Sequence, residues 1–181
     1  MLRTRIGLVA VVVVVGGCAT AQTAADRVAA AAVDFVTPAG GSMGSAIVWQ
    51  DPLGIVHVDG QVRGLQPGVH GVHFHAVGRC DGAGTPAFAA AGAHYNPGNR
   101  KHGLSAADGP HAGDAPNITV GSDGRGVLNF TTDRVTLTDG PATLNDADGS
   151  ALVIHAQGDD QFTDPSGNSG ARIACGVVRV Q

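Results

Sequence analysis

Short runs of β-branched and aromatic residues at near-alternate positions recur along most of this chain, cut by Gly, Pro and Asp, and no stretch carries the period of an amphipathic helix. Residues 33–36, 46–49, 55–62 and 69–77 form a first group, and 118–120, 127–131, 151–155 and 173–180 a second. Asp51-Pro52-Leu53-Gly54, Gln66-Pro67-Gly68 and Ser122-Asp123-Gly124 supply turns between them. Residues 87–93 are Ala-rich enough for a helix, but Gly84, Pro86 and Gly92 crowd them, and a loop is expected there. About eight strands with such turns predict an all-β, antiparallel barrel or sandwich in one domain. Two long irregular segments, 78–116 and 157–171, interrupt the pattern, and excursions of that length usually carry function.

The run Val69-His70-Gly71-Val72-His73-Phe74-His75 says what that function needs. Successive side chains of a strand point to opposite faces, so His73 and His75 project together while Val72 and Phe74 project the other way. The following segment has little apolar periodicity but holds His94, His102, His111 and Asp114. Without a core of its own, such a segment is held most simply by a metal. His70 differs in parity from His73 and His75 and is expected to turn away and bond the backbone. His57, with no motif around it, reads as an ordinary histidine.

The N-terminus reads as an export signal over 1–17: Arg3 and Arg5, then an apolar run over 6–15 that is short for a bilayer span. Val15-Gly16-Gly17-Cys18 resembles a bacterial lipobox, which makes Cys18 the expected lipidated first residue of the mature protein, although Gly16 is a less usual choice and plain secretion stays open. Residues 18–27 read as a tether and 28–181 as the folded domain. With Cys18 in the signal, Cys80 and Cys175 remain as an even pair, a disulfide in an oxidising compartment or, alternatively, two buried thiols.

Removing Arg3 and Arg5 takes the formal charge from −4 to −6, and Lys101 is the only lysine. No basic run invites nucleic acid. All acidic residues are Asp, so the Glu base of zinc peptidases and zinc deaminases is missing.

The motifs Gly71-Val72-His73-Phe74-His75, Gly92-Ala93-His94-Tyr95-Asn96-Pro97, Arg100-Lys101-His102-Gly103, His111-Ala112-Gly113-Asp114, Val153-Ile154-His155 with Asp159-Asp160, and Gly167-Asn168-Ser169-Gly170-Ala171-Arg172 running to Cys175-Gly176 resemble, in order, those of the copper/zinc superoxide dismutases. The resemblance covers most of the chain after the signal. It implies an eight-stranded Greek-key β-barrel with two long functional loops and Cys80 bonded to Cys175. It implies copper on His73, His75, His94 and His155, and zinc on His94, His102, His111 and Asp114, with His94 bridging the two.

The donor chemistry agrees: imidazoles suit both metals, and three His plus one Asp close a tetrahedral zinc site. By the same resemblance Asp159 orients His73 and His102, Arg172 docks superoxide beside the copper, and His94 also carries a proton. The implied activity is dismutation of superoxide to dioxygen and hydrogen peroxide, outside the cytoplasm, with the membrane reached only through the N-terminal lipid. Asp160 and Asp164 read either as solvated loop charges or as part of the field at the copper mouth. Ala76 and Arg79 stand where relatives often carry acidic residues, and segment 157–171 has no Lys, which leaves steering to Arg172, Lys101 and the metals. Oligomeric state has no sequence signature here. A copper-binding protein without turnover on the same fold is the rival reading.

Overall fold

The computed structural model describes residues 26–181; the signal, Cys18 and all but the last two residues of the tether lie outside the described residues. Ten strands form: β1 Ala29–Val36, β2 Ser42–Gln50, β3 Val56–Arg63, β4 Gly68–His70, β5 Val72–His75, β6 Ile118–Val120, β7 Arg125–Thr132, β8 Ala151–His155, β9 Arg172–Val177 and β10 Arg179–Val180. They pair antiparallel in the order β4-β6-β7-β3-β2-β1-β9-β8-β5, with β10 beside β1.

The two ends of that path, β4 and β5, are separated in sequence by Gly71 alone, so the sheet bends back on itself into a nearly closed barrel. The single strand expected over 69–77 is therefore split: its first half pairs with β6 and its second with β8. The expected run over 173–180 is likewise divided into β9 and β10, and these two breaks account for ten strands in place of eight. Gly71 is the switch because the chain passes close to its neighbours there: a Cβ would meet Ser169 Cβ at 3.0 Å and Asp159 Cβ at 3.3 Å. Its N–H donates to Gln157 O and its carbonyl accepts from His155 N–H, at 2.8 and 2.9 Å.

Inside the barrel Val33, Phe35, Val48, Val58, Val72, Phe74, Leu128, Leu152 and Ile154 are buried in one cluster. Each large side chain contributes about 1.5–3 kcal/mol by leaving water. β8 is buried on both faces, which is why it reads as a continuous apolar run instead of an alternation. Its outer residues Ala151 and Val153 are covered by Phe88 and Ala91 from the first long loop. That loop contains one 3₁₀ turn, Ala89–Ala91, where an irregular stretch was expected. Left-handed backbone at Phe88 (φ 59°) and Gly92 (φ 76°) limits it to that turn. Cys80 and Cys175 form a disulfide that ties the same loop to β9.

Candidate metal centre

β5 delivers His73 and His75 to one face, both fully buried, while Val72 and Phe74 enter the core. β8 ends on His155, where the register with β9 skips one residue, pairing Ile154 with Ala174 and His155 with Arg172. Such a bulge re-aims a side chain at a strand end. The long loop returns along the open edge of β5: His75 bridges to His94 and His73 to Asp114, with Tyr95 N–H donating to Phe74 O and Phe74 N–H to Gly113 O at 2.8 and 2.9 Å. Loop backbone and strand thus fix four of the seven sequence-predicted ligands relative to one another.

On the first side, donor atoms of His73, His75, His94 and His155 lie within 4.8 Å of one another. His75 Nδ1 donates to Gly92 O at 2.9 Å and His155 Nδ1 to Gly170 O at 3.1 Å, so each Nε2 carries a bare lone pair. Those two nitrogens are 3.4 Å apart, and with both N–H protons already committed elsewhere no hydrogen bond can join them. His73 donates through Nε2 to Asp159 Oδ2 at 2.7 Å, and its Nδ1 is buried with no partner. Converging buried lone pairs are costly unless a cation accepts them.

On the second side Asp114 Oδ1 is 3.1 Å from His94 Nδ1, 3.0 Å from His102 Nδ1 and 3.3 Å from His111 Nδ1. Despite those distances His102 Nδ1 and His111 Nδ1 make no hydrogen bond. A tetrahedral zinc with bonds of 2.0–2.1 Å has edges of about 3.3–3.4 Å, close to this spacing. Asp114 Oδ2 meanwhile accepts from Gly103 N–H at 2.8 Å and His111 N–H at 3.0 Å, which leaves Oδ1 as the outward donor.

Mutual proximity within 4.8 Å gathers His73, His94, His102 and Asp114 and omits His111. His73 enters that quartet because its ring stacks on His94 at 3.9 Å, but its Nε2 is already bonded to Asp159. The unpartnered Nδ1 of His111 facing Asp114 makes it the better fourth donor. Asp159 spans both sides, its second oxygen accepting from His102 Nε2 at 3.0 Å.

Electrostatics sort the rings by side. Burial, reinforced by neighbouring rings and the Arg172 guanidinium, lowers His75 well below its ordinary value and His155 to about 3. Burial likewise takes His94 to about 4, against the pull of Asp114. His102 goes the other way: burial opposes its proton, but Asp114 and Asp159 outweigh burial and raise it to about 9. Asp114 and Asp159 resist burial through their histidine partners and fall below the carboxylate range.

Arg172 borders an open cleft of about 350 Å³ with Pro86, Ala89, Gly92 and Ala93, and donates to Phe88 O and Gly92 O, both at 2.6 Å. Lys101 pairs with Asp164 at 3.2 Å, and Asp164 also accepts from His102 N–H at 2.9 Å. Asp160 accepts from Phe162 N–H, Thr163 N–H and Asn168 Nδ2 at 2.7–2.9 Å, so both acids knit their loops together. His70 turns away from the rings, with Nδ1 2.8 Å from His155 O and Nε2 2.9 Å from Gln66 O. His57 stacks on Trp49 at 3.8 Å and pairs with Asp51, remote from the cluster.

Three contributors escape sequence reasoning. Asn117 donates through Nδ2 to Asp159 O and accepts through Oδ1 from Asp159 N–H, both at 2.8 Å, gripping that residue by its backbone. Gln161 Nε2 donates to Ala115 O at 3.2 Å, and Arg134 donates to Asp114 O at 2.7 Å. An amide or guanidinium acting on a distant carbonyl leaves no spacing signature. Asn117 alone offered a hint, as a poor β-former set directly before β6.

Sequence comparison adds an independent line. The copper/zinc superoxide dismutase family profile matches residues 43–178. Curated relatives named superoxide dismutase [Cu-Zn] include one from Caulobacter vibrioides, 41% identical over 77% of this chain and 80% of its own length. Another, from Deinococcus radiodurans, is 42% identical over 81% of this chain and 82% of its own. Among solved structures, a double mutant of a SOD-like protein from Bacillus subtilis superposes with a TM-score of 0.73 at 38% identity, covering 82% of this chain and 96% of that one. With a matching profile over most of its length, relatives above 40% identity and two abutting cups of buried imidazoles on a β-barrel, the chain belongs to the copper/zinc superoxide dismutase family.

Proposed function

We propose that this protein dismutates superoxide, with copper held by His73, His75, His94 and His155 and zinc by His94, His102, His111 and Asp114. The observation that carries this reading is the position of His94. Its Nδ1 lies 3.1 Å from Asp114 Oδ1 on one side, while its ring belongs to the quartet with His75 and His155 on the other. Copper when bound supplies reversible one-electron exchange with superoxide, and zinc supplies fixed charge and rigidity; two superoxide ions and two protons give one dioxygen and one hydrogen peroxide.

The chain's own residues do the rest. Arg172 binds the anion: two carbonyls pin its guanidinium, and the residue lines the cleft. Steering of this kind, for which this family is a standard illustration, raises association rates by about 10 to 1,000 fold. His94 accepts a proton on the nitrogen that faces the first cup and returns it, its other nitrogen lying beside Asp114 Oδ1. Asp159 keeps His73 and His102 in the tautomers that free their Nδ1 lone pairs.

Export and lipid attachment at Cys18 complete the proposal. Arg3, Arg5, the apolar run over 6–15 and the Cys80–Cys175 disulfide support it, since disulfides persist in oxidising compartments. The test is metal analysis with a superoxide-removal assay on purified, copper-loaded protein. One equivalent each of copper and zinc with fast turnover is expected; full metal content without turnover would make it a copper-binding protein instead. Fatty-acid labelling that survives Cys18→Ser would refute lipidation.

A further inference from the structure

Asp114 is the one carboxylate among the proposed zinc ligands, and its backbone is held from outside its own loop. Arg134, just past the end of β7, donates from a terminal guanidinium nitrogen to the carbonyl oxygen of Asp114 at 2.7 Å. The segment that offers it is rigid: Arg134 N–H donates to Thr132 Oγ1 at 3.2 Å, and the next residue, Val135, is fully buried in the core. No carboxylate of the described residues lies within ion-pair distance of Arg134, and its Nε is buried without a partner. Arg134 lines an open pocket of about 290 Å³ with Pro97, Gly98, Ala112, Pro141 and Ala142. A long cationic side chain that forgoes an ion pair to reach one carbonyl is placed for that carbonyl.

We propose that Arg134 is a positioning residue for the zinc site, fixing the peptide from which the Asp114 carboxylate reaches the three histidines. The proposal rests on the reading of Asp114 as a zinc ligand. Backbone N–H groups of Gly103 and His111 orient Oδ2, and the bridge to β5 holds the chain before Asp114 through Gly113 O, so the remaining freedom of Oδ1 lies on the carbonyl side of Asp114. Asp114 N–H bonds within its own loop, to His111 O at 3.3 Å, and cannot anchor the loop to anything else. Gln161 holds the next carbonyl, that of Ala115, from the opposite loop. Two successive carbonyls, those of Asp114 and Ala115, are thus pinned, the first by a donor from the barrel end and the second by one from segment 157–171. Metal sites demand ligand placement within about 0.5 Å, and removal of outer partners typically costs about 10- to 100-fold in metal affinity.

In Arg134→Ala the neighbouring cavity admits water, which satisfies the Asp114 carbonyl without fixing it. Competition with a chromophoric chelator should show zinc affinity down about 10- to 100-fold in Arg134→Ala while copper affinity stays unchanged. Cobalt(II) placed in the zinc site should show weakened and shifted visible bands, a readout that simple loosening of the fold would not give. Arg134→Lys, which keeps a charged donor, should recover part of the affinity, and millimolar guanidinium should restore part of it in Arg134→Ala by refilling the cavity. Zinc affinity and cobalt bands equal to wild type in both variants would overturn the proposal. An equal loss at the copper and zinc sites would also overturn it, as a sign of general destabilisation. If the wild-type protein itself takes up no zinc that Asp114→Asn abolishes, the ligand assignment fails, and that outcome is separable from the first.

Discussion

Replacing Gly167 by Ala should damage the metal centre far more than backbone strain alone would. Gly167 sits at φ +60°, where an L side chain costs about 1–2 kcal/mol. A Cβ there would overlap Asp159 Oδ1, lie 2.5 Å from Asp159 Cγ and stand 2.7 Å from His102 Nε2. The backbone cannot slide away cheaply, since Gly167 O accepts from Asp160 N–H and Gly167 N–H donates to Thr163 O, at 2.9 and 2.6 Å. The Asp159 carboxylate must therefore leave, taking with it the bonds to His73 and His102. Two hydrogen bonds involving a charged partner are worth about 1.5–3 kcal/mol each, so with the strain the metal-free protein stands to lose about 4–8 kcal/mol.

That loss rivals the whole stability of a typical domain, about 5–15 kcal/mol, so segment 157–171 should lift off before the barrel unfolds. Gly64→Ala is the control, with φ +76° and nothing within 4 Å of its Cβ, so it carries the strain without the overlap. Denaturant unfolding of both variants, with zinc titration and hydrogen exchange across 157–171, reads the difference. A Gly167→Ala protein no worse than Gly64→Ala in stability and zinc affinity would refute the packing argument.

Arg172→Ile should cut the superoxide rate constant by about tenfold or more and flatten its dependence on ionic strength with metal content unchanged; an unaltered salt profile would remove Arg172 from steering. At neutral pH the metal-free protein keeps His102 protonated, with its value at about 9, so zinc must displace that proton. Apparent zinc affinity should rise about tenfold per pH unit up to about pH 9 and level off above it, with proton release measured by calorimetry in two buffers. The same raised value stabilises the metal-free fold fully below the ordinary histidine range and ceases to do so as pH climbs through 9. Cys80→Ser with Cys175→Ser should cost about 4–5 kcal/mol by freeing a closure of 95 residues. It should weaken copper more than zinc, because Gly92 O on the tethered loop accepts from both His75 and Arg172; equal losses would contradict this.

The proposed ligands were easier to read than the backbone that holds them. His73 and His75 declared themselves by parity, since a period of two is local and one alternation decides the face. His70, three residues before His73 in the same run, was assignable away from the rings by the same rule. The split at Gly71 was not legible: it depends on Ser169 and Asp159 closing in from about a hundred residues away, and the sequence around Gly71 reads as one strand. The bulge that turns His155 inward was hidden for a similar reason, because a one-residue skip is settled by the partner strand. Asn117 and Arg134 act on backbone atoms of residues remote from them in sequence, and a peptide group has no residue type to recognise.

The path of strands ends at β5, and the segment carrying His94 and Asp114 lies along that terminal strand through main-chain bonds at Phe74 and Ala76. The ligand-bearing loop is therefore also a selvedge that finishes the fabric of the barrel. Stripped of its ions it has less to hold it down, and a lifted loop bares a row of unpaired peptide groups ready to recruit another chain. Any ion that keeps the segment seated would keep that edge covered as well.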